Sequence, residues 1–170
     1  MKAGAGKRKG GGFERQVAKL LSLWITAGRA EDALWRSSMS GGRATIGRGK
    51  VRQAGDICAV APEGHALVDR FFIECKAYKK LGIPEFLLRT TGTLATFWKI
   101  AVRESAKYGR EPMLIARQNA LPVLGIIREA VMPPQLLGTR DMSVRIRLRG
   151  EKLVMFRLKD MLARECPWQS

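Results

Sequence analysis

The sequence predicts a single α/β domain built on a mixed sheet, and three observations predict it. Its 170 residues are one domain's worth of chain. A composition of 46% hydrophobic and 27% charged residues is ordinary for a globular protein, and a chain of this size can bury a core without disulfide or metal staples. The apolar pattern switches between helical spacing and short strand-like runs, in the order helix, two strands, helix, strand, with further strands appended.

Residues 1–12 form a glycine-rich arm with Lys2, Lys7, Arg8 and Lys9 and no acid. Such a segment buries too little apolar area to offset its ordering entropy, so a flexible basic arm is expected, either following a phosphate backbone or solubilising the chain. Its Gly4-Ala5-Gly6-Lys7 string is not a P-loop, because no strand precedes it and no Lys-Ser/Thr pair ends it. The domain proper is expected over 13–170. Phe13, Val17, Leu20, Leu21 and Trp24 recur at three- and four-residue spacing, which predicts an amphipathic helix over 13–27 stopped near Gly28. Glu14 would sit in its first turn and complement the helix dipole.

Leu34 and Trp35 mark a short apolar segment. Residues 36–55 follow, rich in Ser, Gly and basic side chains, with Arg43, Arg48, Lys50 and Arg52 facing no acid. A long polar loop inside a compact domain is more often functional than decorative. Apolar runs at 56–60 and 66–77, separated by Ala61, Pro62, Glu63, Gly64 and His65, read as an antiparallel hairpin with His65 exposed at its turn. A helix over 94–108 carries Leu94, Phe97, Trp98 and Ala101 and ends at Gly109. Strands are expected at 113–116 and 123–127, a second hairpin over 144–148 and 153–158, and a closing helix over 158–164. Trp24, Trp35, Phe97 and Trp98 read as core residues rather than base-stacking platforms, and Asp69-Arg70 as a solvated pair.

Charge narrows the function. Thirty-one Lys plus Arg against fifteen Asp plus Glu leave +16, with an isoelectric point near 10.6. An excess that large opposes compaction and points to a polyanionic partner, nucleic acid first. No run of about 18 apolar residues is present, which excludes a spanning helix, and no apolar signal stretch follows the basic start, so a cytoplasmic location is expected. Cys58, Cys75 and Cys166 lie far apart and His65 is the sole histidine, which argues against zinc and for free, buried thiols.

The chemistry concentrates in Gly55-Asp56 and Ile73-Glu74-Cys75-Lys76. Alternation along a strand points Glu74 and Lys76 one way and Cys75 the other. With the hairpin centred on His65, Asp56 lies across from Glu74, which places two carboxylates and an amine within about 5 Å. Two like charges at that range need a shared proton or a cation. Hard oxygen ligands suit Mg²⁺, which lowers the pKa of a water and offsets charge on phosphate, while the lysine positions or deprotonates that water. An acid-x-lysine on a strand alone is usually a surface ion pair. Here the strand is otherwise apolar, with Phe71, Phe72 and Ile73, and the chain is basic.

Phe13-Glu14-Arg15 on a first helix, Gly55-Asp56 and then Glu74-Cys75-Lys76 resemble the PD-(D/E)xK nuclease superfamily, and within it the Holliday-junction-resolvase-type endonucleases of archaea and phages. Trp35-Arg36-Ser37-Ser38, Ser40-Gly41-Gly42 and the segment from Glu111 to Arg117 extend the similarity. The resemblance implies a restriction-endonuclease-like mixed β-sheet flanked by helices, in a single domain. It also implies a Mg²⁺-dependent DNA endonuclease, with Mn²⁺ substituting, acting as a homodimer on branched DNA such as four-way junctions. Asp56 and Glu74 would hold the metal with the Cys75 backbone carbonyl as a third ligand, Lys76 would handle the attacking water, and Glu14 would act through a second metal or a water. Lys7, Arg8, Lys9, Ser38, Ser40, Arg43, Arg48, Lys50, Arg52 and Arg117 would contact DNA, although the 36–55 loop also reads as a plain linker. Arg145, Arg147 and Arg149 add a basic strand face that could follow phosphates or simply stay solvated. Two departures stand out: glycine precedes Asp56 where the superfamily's namesake has proline, and no carboxylate or glutamine is evident on the helix after Lys76. A general or nicking nuclease of the same fold, and a non-catalytic nucleic-acid-binding protein, remain as alternatives.

Overall fold

The computed structural model describes residues 5–37, 54–136 and 143–168, with side chains described from residue 11 onward. The first element is helix α1 (Ala5–Ile25), whose apolar stripe buries Phe13, Val17, Leu21 and Trp24. It begins upstream of Phe13, so Glu14 lies in the helix interior and not in its first turn. Its C-terminus closes with Gly28 at φ 83°, whose N–H donates to the Leu23 carbonyl at 2.7 Å. The Ser22 hydroxyl, which donates to the Ala18 carbonyl, also accepts the Leu34 N–H at 2.8 Å. That bond docks strand β1 (Leu34–Arg36) on α1.

Strand β2 (Ile57–Ala59) pairs antiparallel with β1, not with the strand that follows it. A 3₁₀ turn (Pro62–Gly64) and helix α2 (His65–Arg70) intervene before strand β3 (Phe71–Tyr78). The expected hairpin at 56–77 is therefore absent, and His65 opens a helix rather than sitting at a turn. The run 66–77 divides at Arg70: Leu67 and Val68 are buried on the short helix α2, and the strand begins at Phe71.

The main sheet contains β3, β4 (Glu111–Gln118), β5 (Leu124–Arg128), β6 (Ser143–Leu148) and β7 (Glu151–Arg157) in the order β3-β4-β5-β7-β6. β3 and β4 are parallel and the remaining pairs antiparallel. A parallel pair needs a crossover. Here it is supplied by α3 (Ile83–Arg89), absent from the sequence reading, and α4 (Gly92–Ala106). The hairpin β6–β7 turns at Arg149 and Gly150, both at positive φ, and α5 (Leu158–Leu162) closes the fold.

Strand alternation sorts the core onto two faces. Ile73, Met113, Ile115, Val154 and Phe156 meet α1 and α5, whereas Leu114, Ala116, Ile126, Leu153 and Met155 meet α3 and α4 around Phe86 and Trp98. The result is a five-stranded mixed sheet flanked by helices in one domain, the restriction-endonuclease-like arrangement. Cys58, Cys75 and Cys166 are free and buried, as expected. Trp35 departs from expectation, being 51% exposed. Asp69 and Arg70 are both exposed, as expected; Asp69 faces Arg110, while the Arg70 guanidinium lies over the Phe71 and Trp168 rings. Among the described residues, no helix is long and apolar enough to cross a membrane.

Candidate active site

Among the described residues β3 is the edge strand of the main sheet, and Asp56 lies along its outer edge. Asp56 precedes β2, and its backbone N–H donates to the Ile73 carbonyl at 2.8 Å. Its Oδ2 accepts the Cys75 N–H at 2.8 Å. A strand residue's N–H and C=O point to the same edge, so the Cys75 carbonyl shares this edge with Asp56. Asp56 thus reaches Glu74 as expected, but by hanging on the strand edge rather than through a hairpin register.

Gly55 explains the departure from proline. Its φ is 88°, and a Cβ there would lie 2.8 Å from the Ile73 carbonyl oxygen. Proline's ring fixes φ near −65°, so it could not adopt this backbone, and only glycine lets the chain approach β3 this closely. The Ser37 N–H donates to the Asp56 carbonyl at 2.9 Å, which ties the end of β1 to the same point.

Glu74 and Lys76 project from one face of β3 and form a direct ion pair. Asp56 is 7% exposed, and burial first, then the charge of Glu74, pushes its pKa up to about 7. The Cys75 N–H and Lys76 pull the other way, and Glu14 adds a smaller upward push, so Glu14 belongs to the same field. Burial works against the Lys76 ammonium, but Glu74 beside it outweighs burial and raises the lysine's pKa. Lys76 is therefore a charged donor. The Cys75 thiol is pushed well above its usual range by burial and the neighbouring acids, which leaves it inert.

Glu14 reaches the site from α1 and is held by Arg36 of β1 in a salt bridge. The Arg36 guanidinium lies against α1 at Gly11, where an added Cβ would stand 3.2 Å from it. Arg36 is the site residue that sequence reasoning missed. Its signal was an arginine following the apolar pair Leu34-Trp35, which that reading used only as part of a resemblance.

Arg117, near the end of β4, donates to Gln16 Oε1 at 3.1 Å and lies over the Phe13 ring. It stands on the α1 side of the sheet, opposite to Lys76. Lys7, Arg8 and Lys9 fall on the first turns of α1 by backbone alone. Ser38, Ser40, Arg43, Arg48, Lys50 and Arg52 lie outside the described residues. The helix following β3 is α3, and it does carry a carboxylate, Glu85, exposed in its first turn.

The donor set suits a hard divalent cation. Asp56 and Glu74 offer carboxylate oxygens, Cys75 a carbonyl, and the elevated proton affinity of Asp56 marks an excess of negative charge that a cation would relieve. Among the described residues, no group of three or more His, Cys, Asp or Glu side chains forms a ready metal cage.

No curated protein and no solved structure matches the chain. A family model described as "Phage putative PDDEXK endonuclease" matches residues 5–166. PD-(D/E)xK nucleases are typically dependent on divalent metals, and the matched span takes in Glu14, Asp56, Glu74 and Lys76. By that match over nearly its whole length, and with Asp56, Glu74 and Lys76 assembled on the edge of β3, the chain belongs to the phage PDDEXK endonuclease family.

Proposed function

We propose that this endonuclease hydrolyses DNA phosphodiester bonds with Mg²⁺, Mn²⁺ substituting, and that it selects branched DNA such as four-way junctions, acting as a homodimer in the host cytoplasm. The observation that carries the hydrolytic part is the buried Asp56 carboxylate, held by the Cys75 N–H beside Glu74 and Lys76. Asp56, Glu74 and the Cys75 carbonyl would hold the cation. When bound, the cation activates water and neutralises charge on the phosphate. Lys76, kept protonated, donates to the attacking oxygen or to the phosphate oxygens. Glu14, fixed by Arg36, orients water at the α1 side of the site.

Support for branched DNA comes from the resemblance of Trp35-Arg36-Ser37-Ser38 and the Ser40-Gly41-Gly42 segment to resolvase-like enzymes, and from a surface basic beyond what a small ligand needs. A homodimer follows from the need to cut two symmetric strands. Lys7, Arg8, Lys9, Arg43, Arg48, Lys50, Arg52 and Arg117 would contact phosphates, with Ser38 and Ser40 near the scissile bond. Affinity should then fall steeply with salt.

The test is cleavage of a labelled four-way junction beside its matching linear duplex, in Mg²⁺ and in EDTA, with Asp56→Ala in parallel. Paired symmetric cuts in the junction alone, lost with EDTA and with the variant, are the expected result. Equal cutting of both substrates would make the protein a general nuclease. Binding without cleavage in any divalent cation would leave a nucleic-acid-binding protein.

A further inference from the structure

The face of β3 that carries the site continues past Lys76 into an exposed aromatic residue. Glu74, Lys76 and Tyr78 occupy alternate positions and so stand in line on one face. Tyr78 is 48% exposed, among the few large apolar or aromatic side chains so open to solvent. Phe97 of α4 backs its ring, with centroids 5.1 Å apart and planes tilted by 39°. The Phe97 ring also lies 5.6 Å from the Lys76 Nζ, so the aromatic pair and the lysine form one unit. Lys79 and Lys80 follow at the strand end, both exposed.

We infer that Tyr78, braced by Phe97, is a stacking platform for one unpaired nucleotide next to the scissile phosphate. The inference rests on the nucleic-acid reading of the site and sharpens its substrate class. A base inside a duplex is already stacked on both faces. Only an unpaired, frayed or extruded base can spend a face on a protein ring. A tyrosine 48% exposed and backed by Phe97 keeps ring surface in solvent for one such base. Lys79 and Lys80 supply charge for the phosphates of the strand leading away. A surface that bound duplex by its backbone alone would need the lysines but not the ring.

The experiment measures binding in EDTA, with no cleavage required, to a duplex carrying one unpaired 2-aminopurine and to the same duplex fully paired. The parent protein should quench the unpaired probe, and Tyr78→Phe should quench it equally. Tyr78→Leu and Tyr78→Gln, checked for folding by circular dichroism, should lose the quenching and bind the unpaired substrate about tenfold more weakly. Leu88→Ser, at an exposed position of α3, is the control and should change neither. Equal quenching and affinity in the parent and both truncations would overturn the platform. Cleavage by the parent in Mg²⁺ is scored separately. Quenching without cleavage keeps the platform and removes the nuclease reading, whereas cleavage with unchanged truncations removes the platform alone.

Discussion

Two places in this sheet hold two carboxylates and one strong cation, and they behave differently. At the β3 edge the set is Asp56, Glu74 and Lys76. Across β4, β5 and β7 it is Glu111, Glu151 and Arg128, with the Arg128 guanidinium donating to each acid at 2.8 Å. Glu151 also accepts the Trp98 indole N–H at 3.0 Å. The side chains of Glu111 and Glu151 keep 36% and 34% of their exposure, so water shares in their solvation. Arg128 sits between its acids and holds its proton more tightly, because although burial opposes this, its hydrogen bonds to Glu151 and Glu111 prevail. Asp56 has lost nearly all its water, and its pKa rises to about 7. Residue count does not separate the two sets. Burial of the second acid, away from the shared cation, does.

Breaking the β3-edge set, on the proposed function, should have the largest effect. Asp56→Ala is expected to lower the cleavage rate by about 10²–10³-fold or more with DNA affinity retained, and Glu151→Gln to leave the rate within about twofold. Single-turnover cleavage assays beside gel-shift titrations check both. An equal loss in the two variants would erase the distinction between the two sets.

The second prediction concerns stability in the absence of metal. A carboxylic acid whose folded pKa is raised binds its proton more tightly when folded. It therefore costs stability as pH rises from about 3.8 through about 7, and no further above that. Asp56→Asn removes the charge while leaving an oxygen for the Cys75 N–H. In EDTA at pH 8 the variant should be more stable than the parent by about 2–4 kcal/mol, with the gap closing towards pH 4. Urea melts at the two pH values measure this, and a gap that does not change with pH would refute it.

Gly55→Ala should cost about 1–3 kcal/mol, since it forces a side chain into positive φ and against the Ile73 carbonyl. It should also depress cleavage by displacing Asp56. Thermal denaturation and the assay above read the two effects. The smallest effect belongs to the structural network, where Arg128→Met should cost about 1 kcal/mol, its partners being part-solvated and able to recover water. A loss of several kcal/mol would mean that this network is as desolvated as the β3 edge.

The elements that were legible in sequence are those long enough to show a period. The α1 stripe of Phe13, Val17, Leu21 and Trp24 and the α4 set of Leu94, Trp98 and Ala101 are buried where their spacing put them. The β6–β7 hairpin followed from the polar break at residues 149–152 between two apolar runs, although the turn itself is Arg149 and Gly150 and β7 already begins at Glu151. On β3, period-two alternation correctly set Glu74 and Lys76 on one face and Cys75 on the other. The segment between Asp56 and Phe71 failed because β2 is three residues long, too short for any period, and α2 is one and a half turns. α3 escaped for the same reason, and its Glu85 with it.

The sequence by itself determined that one acid and a lysine share a face of the β3 strand, that the chain is basic, and that a glycine precedes Asp56. Such properties are local, carried by alternation, composition and residue type. Tertiary structure alone decided that β2 pairs with β1, that Asp56 hangs on the open edge of β3 by two hydrogen bonds, and that Arg36 crosses from β1 to hold Glu14. Contacts of this kind join segments far apart in the chain through a short strand ladder, a few isolated hydrogen bonds and one ion pair. No repeating pattern marks them, and only the packing of α1 against β3 and of β1 on α1 selects them.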